Sequence, residues 1–141
     1  MKLQLLWFLT STSLAFAGHS RRTARQEGIE KRGNAYDTCM NHLVDDTVSI
    51  IENRLPEGAS CLESFKKAFE TNCLAVNTNK PSYDRKMSVD VCINEEVKQV
   101  TSCLKAAGIK EEEVDMVHVD FDEFKTHAFS TDASIGCSDD A

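Results

Sequence analysis

Apolar residues recur every three or four positions in four stretches of the chain, the spacing of amphipathic helices, with polar, proline or glycine breaks between them. The first stretch opens near Asp37, a suitable helix cap, and carries Met40, Leu43, Val44, Val48, Ile51 and Leu55 up to Pro56-Glu57-Gly58. The second opens on Ser60-Cys61-Leu62-Glu63 and continues through Phe65 and Phe69. Its first four residues have the form of a capping box, in which Ser60 and Glu63 each satisfy a free backbone N–H. A polar break over residues 77–81 precedes the third stretch, which runs from about Ser88 with Val89, Ile93, Val97, Val100, Leu104 and Ala107 inward and Gly108 as its stop. The fourth follows Lys110, with Val114, Val117, Phe121, Phe124 and Ala128 on one face. Within it Val117-His118-Val119-Asp120-Phe121 alternates, so a strand is the competing expectation there. The pattern predicts an all-α fold, a small helical bundle of three to four helices.

Ahead of these stretches the chain changes character twice. Lys2 is followed by an apolar run over residues 3–16, with Ala15 and Ala17 at the small positions before Gly18. This is the plan of a secretory signal peptide, residues 1–17, cut after Ala17, and the run is too short to span a bilayer. Residues 18–32 then hold Arg21, Arg22, Arg25, Lys31 and Arg32 with almost nothing apolar, so they are expected to be irregular and open to proteases. The Lys31 and Arg32 pair at their end resembles the dibasic site cut by furin- or Kex2-type processing proteases. That resemblance implies a basic propeptide, residues 18–32, and a mature cysteine-rich helical domain, residues 33–141. A basic arm that is simply retained is the alternative.

The division changes the charge balance. The whole chain carries 16 Lys and Arg against 23 Asp and Glu, a net −7. Residues 1–32 hold six of the bases and two of the acids, which leaves ten bases, 21 acids and a net −11 in the remaining 109 residues. Such an acidic domain does not suit nucleic acid, whose phosphates require clustered Lys and Arg. It favours a basic partner.

All six cysteines, Cys39, Cys61, Cys73, Cys92, Cys103 and Cys137, fall after residue 32. Zinc sites bring ligands in close pairs, and here no two cysteines are nearer than eleven positions, so three disulfides are expected and the bundle is disulfide-stabilised. Cys92 and Cys103 lie only about 20° apart around a helix and so face one neighbour. Antiparallel packing of consecutive helices predicts Cys61–Cys103, Cys39–Cys73 and Cys92–Cys137. A rival set joins Cys73 to Cys92 and Cys39 to Cys137. Residues 130–141 are small and polar, and only a bond at Cys137 would tie them down.

Chemistry is sparse in the pattern. His42, His118 and His127 sit in none of the nucleophile, metal or base motifs of hydrolases, so no catalytic residue is assigned and a non-enzymatic protein is expected. The acidic segment around residues 119–124 has a faint likeness to the exit of an EF-hand but lacks the loop with its alternating acids and glycine. His118, Asp122 and His127 would form a Cu or Zn site only if brought together; no metal and no cofactor are expected. Six-cysteine helical carriers such as odorant-binding proteins and elicitins have a C-x3-C or C-x4-C pair that this chain lacks, so the likeness stops at class. The expectation is a secreted, extracellular protein of toxin, effector or signalling type that binds an extracellular protein or receptor. The alternative is a carrier of a small hydrophobic ligand.

Overall fold

The computed structural model describes residues 17–132 and 134–137, with side chains from residue 35 onward. All but the last residue of the expected signal peptide lies outside them, as does the end of the tail. Four α-helices make up the described chain, α1 (Ala17–Arg54), α2 (Ala59–Ala68), α3 (Ser82–Ala106) and α4 (Glu111–Ala128), and no strand occurs among the described residues. The alternation over residues 117–121 is therefore helical, with Val117 and Phe121 buried and Val119 exposed.

The core is one cluster drawn from all four helices. Met40, Val44, Val48 and Ile51 of α1 meet Leu62 and Phe65 of α2, Val89, Ile93 and Leu104 of α3, and Val114, Val117, Phe121 and Phe124 of α4. These are positions that the three-and-four spacing assigns inward, because burial of that stripe is what stabilises a helix of modest propensity; Ala107, also expected inward, is exposed because α3 ends there at its C-cap. Phe65 packs on Phe121 with ring centres 4.5 Å apart, and Phe69 meets Phe124 edge-on at 6.1 Å, so α2 and the residue that follows it are joined to α4 through aromatic rings.

The helix starts differ from the sequence expectation. The backbone of residues 17–36, expected to be irregular up to residue 32, is helical and continuous with the packed part of α1, so Asp37 lies inside a helix rather than at its cap. No proline interrupts this stretch, and its Ala, Arg, Glu, Gln and Lys residues are good helix formers. Asp37 instead accepts a hydrogen bond from Thr78 Oγ1 at 3.0 Å. The capping box at Ser60 does not form, since the 3-10 turn Pro56–Gly58 feeds directly into α2 and puts Ser60 past the cap. α3 begins at Ser82, six residues before Ser88, because its first turn is held by a cation: Arg85 is buried, lies over the Tyr36 ring and donates to the Thr78 carbonyl at 3.2 Å.

Two breaks are local chemistry. After α2 the chain widens into a π-helical turn, Phe69–Leu74, and a 3-10 turn, Ala75–Asn77, where the buried Asn77 amide donates to the Cys73 carbonyl at 2.7 Å. Between α3 and α4, Gly108 has φ +86°, the left-handed conformation that an L side chain resists, and Ile109 N–H closes the helix end on Leu104 O at 3.1 Å.

Candidate functional site

Each cysteine is paired: Cys39–Cys137, Cys61–Cys103 and Cys73–Cys92. Only Cys61–Cys103 agrees with the favoured expectation; the other two bonds are those of the rival set. The correction has a geometric reason. α2 and α3 run antiparallel, and Cys61 to Cys73 spans nearly the same number of residues as Cys92 to Cys103, so both bridges fall in register across one helix pair. Twelve residues of regular α-helix would turn Cys73 about 120° away from Cys61. The extra residues per turn in Phe69–Leu74 take back part of that rotation and aim Cys73 at α3. Cys137 is left to bond α1 through Cys39, its N–H held by Ala128 O at 3.1 Å.

Of the expected processing residues, Ala17 is the first residue of α1, and Lys31 and Arg32 lie within the helical backbone of that element. Their side chains are outside the described atoms. The first core side chain of α1 among the described residues is Tyr36, four positions after Arg32.

The histidines are not brought together. His118 and His127 are nine residues apart on α4, about half a turn of azimuth, so they point to opposite sides of that helix. Among the described residues no group of three or more His, Cys, Asp or Glu side chains is placed to hold a metal ion. Residues 119–124 are plain helix.

What the packing does create is a groove of about 220 Å3 between α1 and α4, which run antiparallel here. Leu43 and Ile50 from α1 and Phe124 from α4 make it apolar, while Asp46, Asp120, Glu123 and His127 stand around it. Arg54 pairs with Asp120 through both carboxylate oxygens and closes one end. That carboxylate raises the already high pKa of Arg54. At the other end His42 Nδ1 lies 3.1 Å from Asp46 Oδ2, and His127 Nδ1 donates to the Glu123 carbonyl at 2.9 Å. Ile50 is 60% exposed although its neighbour Ile51 is fully buried, so the groove keeps an open apolar edge.

Two other grooves are less equipped. One between α1 and α2, about 390 Å3, has two of its three acids answered by Lys66, which sits 2.8 Å from Asp45 and 3.8 Å from Glu63. Asp45, by hydrogen bonding first and charge second, raises the Lys66 pKa. The other, about 250 Å3, runs beside the Cys61–Cys103 bridge over Phe65, Ala68 and Val100. α3 also turns Tyr83, Met87 and Val91 to solvent at successive i, i+4 positions.

The sequence pattern did not single out Asp46 or Ile50, and it drew attention to Asp120 and Glu123 only within the acidic segment weighed for calcium, not as part of a groove. The available signal was Ile50-Ile51, since neighbours on a helix lie about 100° apart and the 3-4 spacing from Val44 and Val48 claims Ile51 for the core, which turns Ile50 toward the stripe's edge. Among the described residues no helix is long and apolar enough to cross a membrane. Comparison with protein-family models, curated proteins and solved structures finds no match.

Proposed function

We propose that the protein is a secreted, non-enzymatic binding protein, released from a precursor by cuts after Ala17 and after Arg32, that engages an extracellular target through the α1–α4 groove. The observation that carries this reading is the disulfide framework. Six cysteines, all paired, tie α1 to the tail, α2 to α3, and the π-helical turn after α2 to α3. Bonds of this kind form and persist in oxidising, extracellular surroundings. The proposed second cut would leave Gly33, Asn34 and Ala35 ahead of Tyr36, so the whole core cluster stays with the released domain. A small target contact on a stapled scaffold is consistent with a toxin, effector or signalling role, in which a domain of this size must survive dilution and proteases.

Expression of the full chain in a secretory host, followed by intact-mass measurement of the medium, tests the reading. The expected mass begins at Gly33 and is six hydrogens below the reduced value. A mass beginning at Gly18 sinks the propeptide, and retention in the cell sinks secretion. Substituting Lys31→Ala and Arg32→Ala together should shift the product to a start at Gly18. Titration with fluorescent fatty-acid and sterol probes distinguishes the carrier alternative. Saturable micromolar binding would replace the target-binding reading, whereas no binding supports it. The large side chains that all four helices contribute to the core, and the carboxylates that stand around the open α1–α4 groove, favour the latter outcome.

A further inference from the structure

We infer that the α1–α4 groove receives an arginine side chain presented by a basic segment of the extracellular partner. The inference rests on the proposed binding role and names its chemistry. The groove offers two things together: apolar lining from Leu43, Ile50 and Phe124, and carboxylates of Asp46, Asp120 and Glu123 around it. A side chain that satisfies both needs a long aliphatic stem and a cationic head. A leucine would leave the carboxylates unanswered, and an acidic or phosphorylated residue would be repelled by them. Arginine lays its methylenes on apolar surface while its planar fork bonds carboxylate oxygens.

Charge within the groove is uneven, which sets the direction of the guest. Arg54 already neutralises Asp120 at one end. Glu123 makes no ion pair among the described residues, and Asp46 has only His42 beside it. The incoming guanidinium therefore belongs at the Asp46 and Glu123 end, its stem running over Ile50 and Phe124. At longer range, the net −11 of residues 33–141 draws basic surfaces toward the domain, and the groove is where that attraction gains an apolar foothold. At about 220 Å3 the space suits one or two side chains rather than a whole helix.

The test uses a fluorescein-labelled nona-arginine peptide, read by anisotropy against the protein as secreted. Two variants remove the same formal charge. Asp46→Asn with Glu123→Gln alters the groove; Glu111→Gln with Glu112→Gln alters the exposed first turn of α4. The groove pair should weaken binding by about tenfold, as loss of charge-assisted bonds does, and the α4 pair by less than about threefold. Ile50→Ala, which leaves charge untouched, should weaken binding by about threefold through lost stem contact. Equal losses in the two charge variants, or no effect of Ile50→Ala, would overturn the inference, since binding would then be general attraction to an acidic surface. All three sites are exposed, so an unchanged thermal midpoint verifies that the variants are folded. Intact-mass results on secretion and processing stand independently, so failure here leaves that part of the reading in place.

Discussion

The guanidinium carbon of Arg85 lies 4.7 Å from the centre of the Tyr36 ring, joining the first core side chain of α1 to the first turn of α3. Both residues are buried, Tyr36 at 2% exposure and Arg85 at 4%. A cation removed from water is costly unless it is answered, and the ring face and the Thr78 carbonyl answer it here.

This contact predicts measurable coupling. Tyr36→Ala empties a core aromatic position and should destabilise the domain by about 3–5 kcal/mol. Tyr36→Leu keeps most of the apolar volume, loses the π face and should cost about 1–2 kcal/mol. A double-mutant cycle of Tyr36→Leu with Arg85→Met, followed by urea unfolding, should return about 0.5–2 kcal/mol of coupling. Additive effects would mean that the ring and the cation merely sit side by side.

The three bridges should not be equivalent. Loop closure restricts the unfolded chain more as the loop lengthens, giving about 4.7 kcal/mol for the 98-residue separation of Cys39–Cys137 and about 3.2 for the 19 of Cys73–Cys92. Paired Cys→Ala substitutions should therefore lower stability more at Cys39 and Cys137 than at Cys73 and Cys92, by roughly 1.5 kcal/mol. Unfolding free energies from denaturant curves, each extrapolated with the variant's own m-value because a lost cross-link lets the unfolded chain expand, decide the order. The reverse order would show that native packing at α2–α3, not chain entropy, sets the contribution of each bond.

Helix number and most inward residues were legible because a four-helix core needs apolar stripes, and Met40-Val44-Val48, Val89-Ile93-Val97 and Val117-Phe121-Phe124 each repeat at helical spacing. What escaped was held by contacts without periodicity. The early start of α3 depends on Arg85 meeting a residue 49 positions away, and the Ser60 box yields to a proline-led turn just before it. The pairing of Cys73 turns on a π-helical stretch that the spacing of Phe65 and Phe69 does not announce. The groove was hidden for a related reason: Asp46 and Glu123 each read as ordinary outward positions until α1 and α4 lie side by side.

Gly108 takes the left-handed conformation in the short turn between α3 and α4. At φ +86° a Cβ is strained even though the space beside it is open, so the penalty is conformational rather than steric. Gly108→Ala should destabilise by about 1–2 kcal/mol, and Gly108→Asn by less, because asparagine tolerates this conformation better. Thermal unfolding of the two variants tests the ranking. Equal stability of alanine and glycine would mean that the helix end relaxes without needing the left-handed turn.

Acid should loosen the tail before the bundle. The Asp132 carboxylate accepts from Ser134 Oγ at 2.7 Å and from Ser134 N–H at 2.9 Å, and these bonds, the hydroxyl first, hold its pKa below the usual 3.8. A depressed folded-state pKa contributes stability that is present above the unfolded value and is lost as pH falls through the folded one. The turn should therefore be intact above about pH 4 and open progressively below 3.8. Its opening matters because Ile135 and Gly136 donate back to the Asp132 carbonyl and lead directly into Cys137, with no room for a side chain at Gly136, whose Cβ would press on the Ser130 carbonyl. An NMR titration should show Asp132 ionising below an exposed aspartate, with the Ser134 amide shift following it. Ser134→Ala removes the hydroxyl donor and should move the midpoint back toward 3.8, while Asp132→Asn should flatten the amide titration. An Asp132 midpoint at or above 3.8 in the wild type would show that the turn does not hold in solution, and that Cys137 is anchored by its disulfide and the Ala128 carbonyl alone.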